Sequence, residues 1–505
     1  MHNPLGIFPH KTQKAIHFVG IGGIGMSGIA EVLHNLGYRV TGSDIGQNQN
    51  ISRLSQLGIV IHIGHAETNI DDCLVVVISS AVKQTNPEVV AAKAFRIPVI
   101  QRAEMLAELM RLKKSVAIAG THGKTTTTSL MACLFETAGL DPTVVNGGIL
   151  NAYNTNAKLG TSDWIVVEAD ESDGSFTKLF PTISVVTNID PEHMEHYQTF
   201  ENLEAAFIRF IYNMPFYGVA ALCADHLVVM GLLDKITSRR LVTYGFSEHA
   251  MVRAVNVRPT VNGVTFDIEL APDLALHFKS DQTNVYSFPR RIRDVTLPMM
   301  GMHNVQNALS LVVVAQELGI SDDLIRQTFL NFKGVKRRFT HVGISGGVSI
   351  IDDYAHHPVE IQTVVKAAKQ ACPNGNLIVV VQPHRYSRLN DLFDDFANAF
   401  EGCTHVIVAP VYAAGEDPID GIDSINLAKA IRAKGIPHVY DLNDQKELPF
   451  LIARLANPGD MVVCMGAGSI TYWAASLPVQ LDGLWQAHRL EKAAYNLSEH
   501  QKVTL

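Results

Sequence analysis

The residues Gly120-Thr121-His122-Gly123-Lys124-Thr125-Thr126 carry the clearest chemistry in this chain. They follow the apolar run Val116-Ala117-Ile118-Ala119 and precede the helix-like stretch from Ser129 to Phe135. Strand, glycine-rich turn and helix make a phosphate cradle, because glycines let the backbone wrap an anion while successive N–H groups and the helix N-terminus point at it. Lys124 would supply a point charge for the terminal phosphates of a nucleotide, and the Thr125 hydroxyl suits a magnesium ion. The standard G-x-x-x-x-G-K-[ST] pattern places glycine where Ile118 stands, so a shorter turn remains. Lys-Thr-Thr directly after that turn has no packing reason, which favours nucleotide binding over a turn that merely carries the chain.

A second glycine cluster, Gly20-Ile21-Gly22-Gly23-Ile24-Gly25, separates the run Ile16–Val19 from a helical pattern over about Ile24 to Leu36, and Asp44 ends the next apolar run. That layout fits a ligand with a diphosphate and a ribose, most often NAD, against the alternative of a close helix-to-strand approach without ligand. Two acidic insertions follow apolar runs: Glu168-Ala169-Asp170-Glu171-Ser172-Asp173 after Trp164–Val167, and Thr187-Asn188-Ile189-Asp190-Pro191-Glu192-His193 after Ile183–Val186. Carboxylates suit magnesium, and one imidazole can complete a second metal site beside a triphosphate. Further on, Gly301-Met302-His303-Asn304-Val305-Gln306-Asn307 opens a helix, where the polar residues either cap it or hydrogen-bond a base or ribose. Two more clusters, Asp352-Asp353-Tyr354-Ala355-His356-His357-Pro358 and Gln382-Pro383-His384-Arg385-Tyr386-Ser387-Arg388, bring histidines, a tyrosine and arginines that suit carboxylates.

The elements that must position these groups are continuous apolar strands alternating with helical patterns, the signature of buried parallel sheets with helices on both faces. In such sheets ligands bind at the carboxyl ends of the strands, where each polar cluster falls. Alternating segments from about Val252 to Pro298 suggest antiparallel strands at a margin, and the polar, basic stretch Lys279 to Arg293 reads as a loop insertion. With 505 residues, 47% hydrophobic and 18% charged, the chain accommodates about three domains. The net charge of −8 gives no general attraction to nucleic acid or to acidic membrane. No apolar run reaches transmembrane length and the N-terminus has no signal core, so a cytoplasmic location is expected. Cys73, Cys133, Cys223, Cys372, Cys403 and Cys464 lie far apart, without a C-x-x-C pair, and are expected as reduced core residues. Beyond about Leu484 the charged tail reads as a loose terminal helix or disorder.

Taken in order, H-F-V-G-I-G-G-I-G-M-S-G, G-T-H-G-K-T-T-T, E-A-D-E-S-D, T-N-I-D-P-E-H-M, G-x-H-N-x-x-N, D-D-Y-A-H-H-P and Q-P-H-R-Y-S-R resemble the motifs of the Mur ligases over about residues 15 to 480. The resemblance implies an α/β chain of three domains: an N-terminal Rossmann-like domain over 1–113, a central P-loop ATPase-like domain over 114–333, a C-terminal Rossmann-like domain over 334–485, then a tail. It implies that Gly22, Gly23, Gly25, Asp44 and Ser80 hold the UDP part of a sugar nucleotide, which removes NAD. Gly120, Thr121, His122, Gly123, Lys124, Thr125 and Thr126 would bind ATP, with His303 and Asn304 at the adenosine. Thr125, Glu168 and His193 would ligate magnesium, two ions in all. Tyr354, His356, His384, Arg388, Arg337 and Arg338 would meet the amino acid and the muramoyl carboxylate, with Lys124, His193, His356 and Arg388 as the catalytic set.

The implied reaction is ATP-dependent joining of L-alanine to the lactoyl carboxylate of UDP-N-acetylmuramate through an acyl phosphate, by a monomer or homodimer. Many relatives have Asn at His122 and Asp at Glu192, and the modified lysine that several use has no counterpart in Ala206-Phe207-Ile208-Arg209-Phe210. The rival readings are a murein tripeptide ligase of wall recycling, an NAD-dependent oxidoreductase, and a P-loop switch or motor protein.

Overall fold

The computed structural model describes residues 14–502, apart from 80, 112, 151–154, 261–262, 273 and 275–288, with side chains left undescribed at 148–150, 155 and 487–502. Ser80 and most of the stretch read as an insertion therefore lie outside the described residues. Three sheets account for the strands. The first joins β1 (Ala15–Val19), β2 (Val40–Asp44), β3 (Val60–Ile63), β4 (Cys73–Ile78) and β5 (Val99–Gln101) in the order β3-β2-β1-β4-β5, all parallel. Strand order reverses between β1 and β4, and the glycine cluster leaves β1 at that point, where open α/β sheets bind ligands.

The second sheet holds β6 (Lys114–Ala119), β7 (Thr143–Leu150), β8 (Thr155–Lys158), β9 (Trp164–Glu168), β10 (Ile183–Val186), β11 (Val219–Cys223), β12 (Arg240–Gly245), β13 (Val252–Thr260), β14 (Gly263–Leu270) and β15 (Arg290–Leu297). Its order is β15-β14-β13-β12-β11-β10-β6-β9-β7-β8, so β6 and its phosphate turn are central, flanked by β10 and β9. The strands β6, β10 and β11 are almost wholly buried, which is why they read as unbroken apolar runs rather than as alternation.

The third sheet orders β16 (Thr340–Ser345), β17 (Val348–Asp353), β18 (Leu377–Val381), β19 (His405–Val408), β20 (His438–Asp441) and β21 (Met461–Met465) as β16-β17-β21-β18-β19-β20, parallel except for the β16–β17 pair.

The chain divides into two compact units: Met1–Arg258 with Thr265–Pro298 and Asn304–Val335, and Pro259–Val264 with Met299–His303 and Lys336–Leu505. The first unit carries the first sheet and most of the second, and one core cluster is shared between them, in which Met26 and Ile29 join Val145, Ala157 and Phe207. Within it the helix Phe200–Tyr212 is capped by Thr199 and buries the stripe Leu203, Ala206, Phe207, Phe210 and Ile211. Phe207 and Phe210 meet Phe176 at ring distances of 5.0 and 5.3 Å, which anchors the acidic segment that follows β9.

One expectation changes. Arg290–Arg293 belongs to the strand β15 and not to a loop, because Val295 and Leu297 alternate inward and Ile292, one step out of phase, is buried too, between exposed charges. Of the two readings of the tail, the helical one holds: it continues the helix Ile470–Lys502, whose first turns bury Ile470, Ala474, Leu477 and Leu481.

Candidate active site

Gly120 and Gly123 take φ values of +139° and +83°, and a Cβ on Gly120 would lie 2.0 Å from Thr187 Oγ1. Glycine is therefore required to turn the chain from β6 into the helix Lys124–Thr137. The turn is tied to the loop after β10: the His122 N–H donates to Asn188 Oδ1 at 2.7 Å, and the His122 carbonyl accepts from Thr187 Oγ1 at 2.7 Å. Lys124 Nζ donates to the carbonyls of Gly120 at 2.6 Å and Thr121 at 3.0 Å, and pairs with Glu171 at 2.8 Å. Burial works against the Lys124 charge, yet the carboxylates of Glu171, Glu168 and Asp170 outweigh it and raise its pKa. Burial pushes the Glu171 carboxyl up to about 7 despite that lysine.

Glu171, which the reading of the sequence did not single out, is thus the residue that the fold places beside Lys124. Ligand atoms of Glu171, Glu192 and His193 lie within 4.8 Å of one another, two carboxylates and an imidazole, a donor set that fits a divalent cation. The Tyr197 hydroxyl donates to the Glu171 carbonyl at 2.5 Å and fixes that loop from behind. Glu168 accepts the Gly147 N–H at 2.9 Å and faces Lys124 electrostatically, outside the group of three. Thr125 and Thr126 are buried in the first helical turn. Asn304 is buried on the helix Met302–Glu317, and its neighbour Asn307 packs against the turn, where a Cβ on Gly123 would lie 2.7 Å from its amide nitrogen. Neither asparagine caps that helix, since both lie inside it.

At the first sheet, Asp44 accepts the Gly22 N–H at 2.8 Å, and Asn50 Nδ2 donates to the Gly22 carbonyl at 2.9 Å. A Cβ on Gly22 would sit 2.5 Å from Asn48 Nδ2, so this glycine is fixed by close approach of side chains. Gly23 precedes the helix Ile24–Asn35, and Arg102 lies against Gly25 while donating to Asp170 at 3.3 Å. Nothing in the sequence marks Arg102, because its role depends on two loops meeting.

In the second unit the predicted polar residues form a ladder along the carboxyl ends of β17, β18 and β19. Arg337 and Arg338 lie 4.7 and 5.3 Å from the Tyr354 ring centre. Tyr354 meets His356 at 5.1 Å, His356 meets His384 at 5.9 Å, and His384 stacks on Tyr412 at 5.5 Å. Tyr412 was not foreseen. Burial, helped by His356, Arg388 and Arg385, lowers the His384 pKa to about 4. His356 Nδ1 hydrogen-bonds the Tyr354 carbonyl at 3.0 Å, whereas His357 caps the helix Pro358–Ala371 in a capping box with Glu360. Arg337 also donates to the Gly466 carbonyl. His303 belongs to this unit, and burial drives its pKa down to about 4.

Comparison with known proteins gives three successive matches: "Mur ligase family, catalytic domain" over residues 15–114, "Mur ligase middle domain" over 118–315 and "Mur ligase, glutamate ligase domain" over 337–468. The chain is 56% identical over 469 residues to a UDP-N-acetylmuramate-L-alanine ligase from Paramagnetospirillum magneticum, covering 93% of this chain and 96% of the relative. It is 57% identical to the enzyme of the same name from Rhodospirillum centenum, covering 93% and 95%. Among solved structures, a UDP-N-acetylmuramate-alanine ligase from Thermotoga maritima superposes with a TM-score of 0.75 at 27% identity, covering 94% of this chain and 99% of that one. A murein peptide ligase from Psychrobacter arcticus shares the fold, with a TM-score of 0.65 at 22% identity, covering 93% and 99%. A phosphate turn that holds its lysine on a buried glutamate, with three α/β sheets and matches over most of its length, places this chain in the Mur ligase family.

Proposed function

We propose that this Mur ligase joins L-alanine to the lactoyl carboxylate of UDP-N-acetylmuramate at the expense of ATP, through an acyl phosphate. The observation that carries the reading is the group of Lys124, Glu171, Glu192 and His193 at the carboxyl edge of the second sheet, next to a turn shaped for phosphates. The names of relatives more than half identical over most of the chain support the same substrates. A carboxylate resists attack by an amine, so it is first phosphorylated by in-line transfer from ATP, a step governed by positioning and charge neutralisation. The turn's N–H groups and Lys124 hold the phosphates. The amine of L-alanine then attacks the acyl carbon, and phosphate leaves.

Magnesium fits the donors Glu171, Glu192 and His193, and Thr125 and Glu168, which the family resemblance implies as ligands together with His193, would complete its coordination; two ions would supply further neutralisation of the triphosphate. Gly22, Gly23, Gly25 and Asp44 take the UDP part, and Tyr354, His356, His384, Arg388, Arg337 and Arg338 take the amino acid. The domain limits 1–113, 114–333 and 334–485 suit these roles. The protein works in the cytoplasm as a monomer or homodimer, and among the described residues no helix is long and apolar enough to cross a membrane.

The test is phosphate release from ATP with magnesium and UDP-N-acetylmuramate, comparing L-alanine, glycine, L-serine and L-alanyl-γ-D-glutamyl-diaminopimelate as acceptors. Turnover far highest with L-alanine is expected. Turnover with the tripeptide alone would move the assignment to wall recycling.

A further inference from the structure

Asp190 stands where loops from three neighbouring strands, β6, β10 and β11, come together. Its main-chain N–H donates to Thr121 Oγ1 at 2.8 Å. Its two carboxylate oxygens face different imidazoles: Oδ2 is 3.5 Å from His122 Nε2, and Oδ1 is 3.3 Å from His226 Nε2. Thr121 and His122 belong to the phosphate turn, whereas His226 follows β11. An ionised carboxylate only accepts hydrogen bonds, so the His226 ring must present an N–H on Nε2 to it, which fixes that tautomer and ring orientation, while the His122 ring lies at ion-pair distance from the other oxygen without hydrogen-bond geometry.

The neighbouring residue is anchored separately. Asp225 accepts the N–H groups of Phe246 and Ser247, each at 2.8 Å, and Gln306 Nε2 at 2.6 Å, so the chain at His226 cannot drift. His226 Nδ1 is buried and has no hydrogen-bond partner among the described residues, which leaves Asp190 as the group that orients this ring. The backbone of His122 is already fixed by Thr187 and Asn188. The Asp190 main chain holds the Thr121 hydroxyl, and what its side chain adds is a negative charge set between the His122 and His226 rings.

We propose that Asp190 is a positioning residue for ATP: it holds the phosphate turn in its anion-binding shape through Thr121 and His122, and His226 braces its carboxylate from the opposite side. The inference rests on reading this turn as the ATP site. A preformed ring of N–H donors binds phosphate without the cost of ordering it, so loss of the brace weakens ATP binding and leaves the chemical step and the other substrates nearly untouched.

The experiment compares the full-length wild type with Asp190→Asn, His226→Gln and the double variant, by acceptor-dependent phosphate release with each substrate varied in turn. Asp190→Asn should raise the KM for ATP about tenfold, as the carboxylate charge between the two imidazoles is lost, and change kcat and the KM for L-alanine less than about twofold. His226→Gln should raise the KM for ATP about threefold, and the double variant should be no worse than Asp190→Asn alone, because both act through one carboxylate. Additive effects, a common rise in every KM, a fall in kcat alone, or tighter ATP binding on removing the charge would each overturn the proposal. His226→Gln removes one side-chain contact at the rim, so it decides the matter even if Asp190→Asn does not fold. A wild type without acceptor-dependent phosphate release would overturn the ATP reading itself, and the proposal with it.

Discussion

Exchanging Glu171 for glutamine removes one charge from a buried pair and one carboxylate from the candidate cation group, while it keeps the volume of the side chain. Lys124 would keep the carbonyls of Gly120 and Thr121 at 2.6 and 3.0 Å, but lose the carboxylate that now lies 2.8 Å away. Breaking a buried pair by removing one partner costs about 3 to 5 kcal/mol, and glutamine keeps the volume and one acceptor, so the lower end of about 3 kcal/mol applies. The converse exchange, Lys124→Met, is gentler to the fold. Burial already holds the Glu171 carboxyl at about 7 with the lysine present. Without the lysine that pKa rises further, the group stays protonated at neutral pH, and the cost is about 1 kcal/mol.

At roughly 2 °C per kcal/mol for a unit of this size, Glu171→Gln should melt about 6 °C below the wild type and Lys124→Met about 2 °C below it. Turnover should rank the other way, with Lys124→Met losing about a thousandfold as the charge on the transferred phosphate goes uncompensated. Thermal melts by intrinsic fluorescence at pH 7, paired with phosphate-release rates, read both scales. A Lys124→Met protein that melts at or below Glu171→Gln would refute the account of which charge the fold can neutralise.

Two further perturbations address the first sheet and the phosphate turn. Glu88 is fully buried; burial raises its pKa, but the His17 imidazole beside it and hydrogen bonds from Ser43 and Asn69 outweigh that and bring it from 4.5 to about 2. A carboxyl held lower in the fold than in the unfolded chain contributes stability that is present above 4.5 and lost as pH falls through about 2, some 3 kcal/mol in all. The melting gap between wild type and Glu88→Gln should therefore be widest above pH 5 and narrow steadily towards pH 3; a gap independent of pH counts against it. In the turn, a Cβ on Gly120 would lie 2.0 Å from the movable Thr187 hydroxyl, but also 3.1 Å from the immovable Asn188 carbonyl, at a φ of +139°. Gly120→Ala should displace the turn and lower turnover about a hundredfold while the protein still folds, and activity within threefold of the wild type would show that the turn tolerates the shift.

The sequence made legible what depends on local order. Lys124 was readable because a glycine turn between an apolar strand and a helix has few other uses, and the carboxyl-edge position of the acidic loops followed from unbroken apolar runs. Glu171 was not, since Glu168-Ala169-Asp170-Glu171-Ser172-Asp173 offers four carboxylates of similar type, and only packing against Tyr197 and Lys124 decides which one turns inward. Arg102 and Tyr412 act through neighbours distant along the chain, a relation that no spacing rule contains. Two misses had a local signal. His357 precedes Pro358 and stands three residues before Glu360, the pattern of a helix cap, which leaves His356 alone to face the ring ladder. In Arg290-Arg291-Ile292-Arg293-Asp294-Val295-Thr296-Leu297 the charges masked a strand, although Val295 and Leu297 keep the period of two and Ile292 sets the inward face one step out of phase. That slip sits beside Asp294, whose φ is +52°, so the strand carries an irregularity there and the pattern restarts after it. Charge density alone therefore misjudges a strand whose inward face is apolar, and the face, read residue by residue on each side of such a break, is the better guide.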